Sequence, residues 1–291
     1  MLRIPQRQRP PPKGWRRPPV RLLPMRYAVF VALCCSTCVA ACDSEAPAPP
    51  GEVVERVQMV EGMRWTYAYR EARYGPRVGE TAPDSLEAVS LDTVVVTVAG
   101  LNVDLGAEEG LIELRGVSVE SGPFVMWYRD VGDALEWVAE DDFADGVAEP
   151  WVVPFAPEHP GGASAAHRGG GDCGTSAAGD AYCLSPYPYR AYQYPFDEGR
   201  NWTVFSVPNL SVLHREVTGN SELTTPAGTF QVAAIANRWD HVPLVGTEYV
   251  AREGLVRRET RSEARRFSET GELDGVRVFA RQTELIRLER P

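Results

Sequence analysis

Hydrophobic and polar residues alternate with a period near two along most of the chain after position 60. A period of two puts successive side chains on opposite faces of a strand, whereas an amphipathic helix needs a period near 3.6. The pattern predicts strands at residues 64–70, 91–99, 111–120, 124–128, 134–139, 202–207, 210–218, 230–239, 247–251, 255–260 and 276–288. A helical turn competes with a strand at residues 261–266.

Short polar turns separate these strands and favour antiparallel pairing. The turn at 130–133 (Asp-Val-Gly-Asp) predicts one hairpin. In the stretch 224–230, Pro226 presets the first turn residue and Gly228 accepts a positive φ, which predicts a second hairpin. The predicted fold is all-β: an antiparallel curled sheet, an open barrel or a sandwich of about ten strands.

A short repeat divides the β-rich domain, residues 60–290. The motif Gly-x-x-Trp-Thr occurs at residues 62–66 and again at residues 199–203. We interpret it as the start of two similar halves, 60–142 and 197–290, joined by an irregular linker, 143–196. Large aromatic side chains favour burial, so Trp65 and Trp202 are expected to be core anchors rather than ligand-stacking rings.

The N-terminal region has the features of an export signal. From Met25, a charged start is followed by a short apolar run and by small residues that end at Val39-Ala40-Ala41-Cys42. Residues 25–41 are predicted to be a signal peptide, Cys42 a lipidated anchor, and residues 42–59 the anchor and a Pro-rich tether. Residues 1–24 are basic and Pro-rich without periodicity, and we interpret them as an extension that precedes the true start.

Two groups of motifs resemble a known class of protein. Val39-Ala40-Ala41-Cys42 resembles the bacterial lipobox, in which the cysteine is acylated with fatty chains such as palmitate. Gly199-x-x-Trp202, the 226–230 hairpin (Pro-Ala-Gly-Thr-Phe) and Gly254-Leu255-Val256 are similar to a pattern in uncharacterised bacterial envelope lipoproteins with an all-β domain. The resemblance covers about residues 195–260. It implies an all-β fold and an envelope location, and it implies no catalytic residue.

The charge distribution argues against nucleic-acid binding. The 291 residues carry 30 basic and 40 acidic side chains, and eight of the basic groups lie in residues 1–41. Residues 42–291 therefore have a formal charge of −18, which repels phosphate backbones. Lys13 is the one lysine of the chain, so lysine-dependent catalysis is excluded from the β-rich domain.

The cysteines give a second prediction. Four of the six precede or form the anchor, which leaves Cys173 and Cys183 in a compartment that permits disulfides. We predict a disulfide between them. The alternative is a metal site that also uses His159 and His167, but this spacing matches no common zinc pattern. No metal or cofactor is predicted.

Candidate chemistry is sparse. Residues 185–196 contain Tyr187, Tyr189, Tyr192 and Tyr194 among three prolines, and these rings are the candidate binding surface. The alternative is that this stretch crosses the sheet and covers the core. A hydrolytic site would need His214 or His241 beside a carboxylate and a serine, and no local motif indicates one.

These observations favour a lipid-anchored cell-envelope protein facing the periplasm or exterior. It is expected to be a non-enzymatic binding or structural module, with a membrane contact through the lipid and an envelope protein as its partner. Two alternatives remain: a carrier of an apolar ligand inside the curled sheet, and an envelope hydrolase.

Overall fold

The computed structural model describes residues 53–77, 86–119, 122–141, 173–206, 212–240, 244–267 and 273–291. These residues form 13 strands and no helix. In chain order the strands are β1 (Arg64–Arg77), β2 (Leu86–Leu105), β3 (Glu108–Ser118), β4 (Gly122–Asp130), β5 (Ala134–Asp141), β6 (Cys173–Thr175), β7 (Ala181–Gln193), β8 (Asn201–Ser206), β9 (Val212–Thr225), β10 (Gly228–Trp239), β11 (Leu244–Ala251), β12 (Gly254–Phe267) and β13 (Leu273–Glu289).

All described strands belong to one antiparallel sheet with the order β6-β7-β5-β4-β3-β2-β1-β13-β12-β11-β10-β9-β8. The all-β, antiparallel prediction is therefore confirmed. Strands β1 to β5 form one meander and strands β8 to β13 form another, and the pairing of β1 with β13 joins them. The predicted division into two similar halves stays a prediction, although the meanders coincide with it.

The sheet curls until its two ends meet without forming a ladder. The indole Nε1 of Trp202 on β8 donates to the carbonyl oxygen of Arg190 on β7 at 3.1 Å. The described residues of β7 and β8 share no register of backbone pairs, so the sheet stays open along this line. We call this line the seam.

The inner face of the curl forms the main core. Alternate residues of the strands point inward, and their rings fill the space that the curl encloses. The largest fully buried aromatic side chains include Trp65, Trp137, Tyr67, Tyr128, Tyr189, Tyr192, Phe124 and Phe196. Trp202 is also buried, so both motif tryptophans are core residues as expected.

The hairpin between β9 and β10 shows why the predicted turn forms. Thr225 pairs directly with Gly228, and Pro226 and Ala227 occupy the turn between them. Gly228 has φ of 136°, a conformation that L side chains rarely adopt. This prediction is confirmed.

One sequence expectation needs correction. Residues 173–193, inside the stretch expected to be an irregular linker, form β6 and β7 of the sheet. Residues 185–188, which include two prolines, fall at a shift in the β5–β7 register, between Leu184, which pairs with Ala139, and Tyr189, which pairs with Trp137. A proline cannot donate a ladder hydrogen bond, so it is tolerated at such an irregularity. Residues 261–266, where a helical turn competed, lie within β12.

The segment before β1 closes one end of the curl. Val54, Val57 and Met63 are buried in the main core. The amide of Gln58 donates to the carbonyl oxygen of Arg252 at 2.7 Å. The amide of Phe196 donates to the carbonyl oxygen of Val54 at 3.1 Å. We call residues 53–60 the closing segment.

The described residues contain no helix with the length and apolar character needed to cross a membrane.

Candidate binding groove

A groove of about 660 Å³ crosses the outer face of five neighbouring strands, β1, β13, β12, β11 and β10. Its residues are Arg70, Ala72, Tyr74, Ala236, Asn237, Arg238, Val245, Gly246, Thr247, Glu259, Thr260, Arg261, Ala280, Arg281 and Gln282. We call this feature the outer groove. It is a concave surface that presents charged groups to solvent.

Small side chains create the concavity. Ala72 pairs with Ala280 across the central ladder, and Ala236 pairs with Thr247 two strands away. Gly246 allows β11 to lie close to β12, because an added Cβ would be 2.7 Å from Cγ2 of Thr260. Larger residues stand at the rim, so the groove follows from the size of the side chains in one band of the sheet.

The rim is mainly basic. Arg70, Arg238 and Arg261 line the groove, and Glu259 is the one acidic residue among its lining residues. All four are exposed. Within the described ranges, neither Arg70 nor Arg238 has an ion-pair partner. The groove is thus a local positive region on a strongly acidic molecule.

An apolar surface continues from the groove onto β2 and β3. Leu91 pairs with Arg70, and Val89 pairs with Ala72, so this surface adjoins the groove at β1. Leu91 is 68% exposed and Val119 is 78% exposed. Contiguous exposed apolar side chains are typical of interaction surfaces. The exposed large apolar residues of this region are Leu86, Val89, Leu91, Val117 and Val119.

A buried ionic cluster lies beneath the groove floor. The carboxylate of Glu248 on β11 accepts from Nη2 of Arg215 at 2.7 Å and from Nδ2 of Asn237 at 3.1 Å. The hydroxyl of Tyr192 donates to its other oxygen at 2.8 Å, and Arg258 lies 3.1 Å away. Glu248, Arg215 and Arg258 are all buried. We call these five residues the ionic cluster.

Electrostatics keep Glu248 ionised. Burial alone would raise the pKa of this carboxyl, but Arg215 and Arg258 together with the donors Tyr192 and Asn237 lower it below its ordinary value. Burial raises the pKa of Tyr192 well above that of a free tyrosine, and the charge of Glu248 adds to the effect. The cluster is enclosed by core residues, so it positions strands rather than meeting a substrate.

A second ion pair supports the groove from β13. Arg281 donates through Nε to Glu71 on β1 at 2.8 Å and through Nη1 to the hydroxyl of Ser262 on β12 at 3.1 Å. Arg281 lines the groove, and these contacts tie β1, β13 and β12, three of its five strands, together. Burial would raise the pKa of Glu71, but Arg73 and Arg281 lower it below its ordinary value.

The predicted tyrosine surface lies inside the core. Tyr189, Tyr192 and Tyr194 are buried, and the Tyr189 ring stacks on Trp137 with centroids 5.4 Å apart. The side chain of Tyr187 lies outside the described residues. The structure therefore places the three described rings under the sheet, as the alternative expectation had it. Tyr189 and Tyr192 both face the core although they are three residues apart, because the β5–β7 register shifts by one residue between Arg190 and Tyr192. Tyr194 follows the end of β7.

The remaining predicted residues fall as follows. Cys173 and Cys183 pair directly across β6 and β7 and form the predicted disulfide. Nε2 of His214 lies 3.1 Å from Asp240, and Nδ1 lies 3.5 Å from the hydroxyl of Thr203 rather than a serine. His159, His167, His241 and Cys42 lie outside the described residues.

Comparisons with known proteins give fold likenesses alone. No family model matches the chain, and no curated protein matches it. A candidate lipoprotein from Parabacteroides distasonis is similar over 81% of this chain and 99% of its own, with 16% identity and a TM-score of 0.33. A candidate exported protein with a YmcC-like fold from Bacteroides fragilis is similar over 81% of this chain and 100% of its own, with 14% identity and a TM-score of 0.36. At these TM-scores neither likeness bears on the function of this chain.

Proposed function

We propose that this chain is an exported envelope protein, anchored to a membrane by fatty acyl chains on Cys42, and that it acts there as a non-enzymatic binding or structural module. The observation that carries the proposal is the pairing of a lipobox-like Val39-Ala40-Ala41-Cys42 with a disulfide farther along the chain. Disulfides persist outside the cytosol and are rare within it. Both features are therefore expected of a protein that leaves the cytoplasm.

The position of the closing segment suits an anchored protein. Residues 43–52 separate Cys42 from the closing segment, and ten residues span at most about 35 Å when extended. The closing segment is held in the core, so the proposed tether would join the domain at one end of the curled sheet. That end would face the bilayer, and the opposite end would face away.

The packing of the interior favours binding on the outside of the sheet. Aromatic rings and the ionic cluster fill the described part of the enclosed space. An apolar ligand held inside a curled sheet needs an open cavity of several hundred Å³. The outer groove has the required size but lies on the opposite face. These observations weigh against the carrier alternative.

Mass spectrometry of the membrane fraction tests the anchor. The expected result is a mature protein whose first residue is Cys42 carrying fatty acyl chains, and whose Cys173 and Cys183 are oxidised. Cys42→Ser removes the thiol that would carry the acyl chains. The variant should therefore move from the membrane fraction to the aqueous fraction. Cys38→Ser is the matched control and should leave acylation unchanged. An unprocessed, non-acylated and reduced protein would overturn the proposal.

A further inference from the structure

We propose that the outer groove binds an extended acidic peptide segment of an envelope partner. The proposal rests on the binding-module part of the proposed function and is independent of the lipid anchor. It follows from the charge, the shape and the surroundings of the groove, which are taken in turn.

Charge complementarity identifies the sign of the ligand. Arg70 and Arg238 are exposed at opposite sides of the groove, on β1 and β10, and neither has an ion-pair partner among the described residues. Arg261 lies between them on β12. Guanidinium groups bind carboxylates through two parallel hydrogen bonds. Carboxylates spaced along a chain could therefore engage the arginines in succession, while the acidic remainder of the molecule would repel such a chain elsewhere.

The shape of the groove suits an extended chain. The five strands that form the floor are spaced about 4.8 Å apart, so the groove is about 19 Å long from β1 to β10. An extended peptide rises about 3.3 Å per residue, and about six residues would fill that length. The floor of Ala72, Ala236 and Ala280 leaves room for a backbone and for small side chains.

The composition of the groove favours a peptide over an acidic polysaccharide. Sugar rings are usually bound against the exposed face of an aromatic side chain, because the ring offers a flat apolar platform. Among the described residues that line the groove, Tyr74 is the one aromatic side chain, and it is half-buried. The apolar surface of Leu91 and Val119 beside the groove would instead meet apolar side chains that flank the acidic residues.

The groove is accessible in the anchored protein and is held rigid. On β1, the groove residues Arg70 and Ala72 lie about six positions from Trp65, which is at the closed end of the curl. That separation is about 20 Å along the strand. A partner could therefore reach it without contact with the bilayer. Asn237 borders the groove, while its side chain points into the core and donates to Glu248 of the ionic cluster. This preformed floor reduces the ordering that binding requires.

Fluorescence anisotropy tests the proposal. The probe is a fluorescein-labelled decamer of L-glutamate, and the protein is the full chain purified from membranes in detergent. The wild type should bind the probe with an affinity that falls as salt rises. The double variant Arg70→Gln/Arg238→Gln should bind about tenfold more weakly, and Arg64→Gln/Arg252→Gln should bind within about twofold of the wild type. The second pair removes two exposed arginines outside the groove, so the net charge of the two variants is equal.

Three results would overturn the proposal. The first is no binding of the probe by the wild type at low salt. The second is an equal loss of affinity in the two double variants, which would indicate general charge attraction. The third is binding of polygalacturonate without binding of the glutamate decamer, which would assign the groove to an acidic polysaccharide. Mass spectrometry of the same preparation reads acylation separately, so a failure of the anchor is distinct from a failure of the groove.

Discussion

At the level of single residues, the ionic cluster is the most unusual feature of the core. Burying three charged side chains carries a large desolvation cost, which their mutual attraction offsets when the geometry is good. Glu248 meets Arg215, Arg258, Tyr192 and Asn237, which come from four other strands. The cluster therefore specifies how β7, β9, β10, β11 and β12 are arranged around the inside of the curl.

Glu248→Gln should destabilise the protein by about 3–5 kcal/mol, because it leaves two buried guanidinium groups facing a neutral amide. The measurement is urea unfolding at pH 7, followed by tryptophan fluorescence. Glu259→Gln removes an exposed carboxylate one strand away and should change the free energy of unfolding by less than about 0.5 kcal/mol. A Glu248→Gln variant as stable as the control would show that the cluster contributes no stability.

The pH dependence of unfolding is a second test of the role of Glu248 in stability. The pKa of Glu248 is lowered on folding from an ordinary value near 4.5. A lowered folded pKa gives stability that is present above the unfolded pKa and is lost as the pH falls toward the folded pKa. The free energy of unfolding of the wild type should therefore decrease below about pH 4.5. The decrease should be shallower in Glu248→Gln, and an identical decrease in both proteins would contradict the assignment.

The sequence gives little sign of this cluster or of the groove. Arginine and glutamate are common on the exposed face of a strand, and whether Arg215 or Arg238 faces inward depends on the register of the sheet. The two residues lie at consecutive paired rows of β9 and β10, where Arg215 pairs with Asn237 and Arg238 pairs with His214. One row faces the core and the next faces the groove. Only the register separates the buried charge from the exposed one.

At the level of elements, the seam is where the sheet depends on side chains instead of a ladder. Trp202 donates to the carbonyl of Arg190, and Nη1 of Arg215 donates to the carbonyl of Ala191. These bonds satisfy two carbonyls of β7 that a neighbouring strand would otherwise pair. The seam is consequently the part of the sheet expected to open most readily.

Trp202→Phe tests the seam, because it keeps a large apolar ring and removes the Nε1 donor. We expect faster amide hydrogen exchange in β7 and β8 than in the wild type, and a loss of about 1–2 kcal/mol in the free energy of unfolding. Trp65→Phe is the matched control. Its indole Nε1 donates to the carbonyl of Glu253 at 2.7 Å, away from the seam.

The control should lose a comparable amount of stability without faster exchange in β8. Faster exchange in β8 in both variants, or in neither, would mean that the indole bond to Arg190 does not hold the seam.

The strands themselves were largely predictable. Every strand predicted from the alternation overlaps an observed strand, because each buries one face against the enclosed core and so keeps a period of two. Strands β6 and β7 were missed. Their glycine and proline content is typical of loops, and their pairing depends on the Cys173–Cys183 disulfide and on β5. The aromatic content of β7 is clear from the sequence, but composition alone does not show which face of the sheet each tyrosine occupies.

At the level of the whole molecule, the closing segment links the proposed anchor to the core. Val57 is buried, whereas Val53 is 38% exposed four residues earlier. A groove of about 430 Å³ lies between the segment and the neighbouring turns of the sheet. The segment is thus packed on one side and solvated on the other, which is expected for a chain that leaves the domain at this point.

Val57→Asp should destabilise the protein by about 3–4 kcal/mol, because it removes an apolar contact and buries a charge. Val53→Asp should change the free energy of unfolding by less than about 0.5 kcal/mol, since its side chain already meets water. Thermal unfolding of the purified full chain measures both. Equal effects of the two substitutions would show that the closing segment is not part of the cooperative unit.

The pairing of β1 with β13 also constrains how the protein is made. Arg64 lies opposite Glu289, so the strand synthesised first completes its ladder only with the strand synthesised last. Until residues 273–289 have been synthesised, β1 has a long unpaired edge, and such edges pair readily with other chains. A nascent chain that stalls before that point would be expected to need a holding chaperone, however complete its first meander.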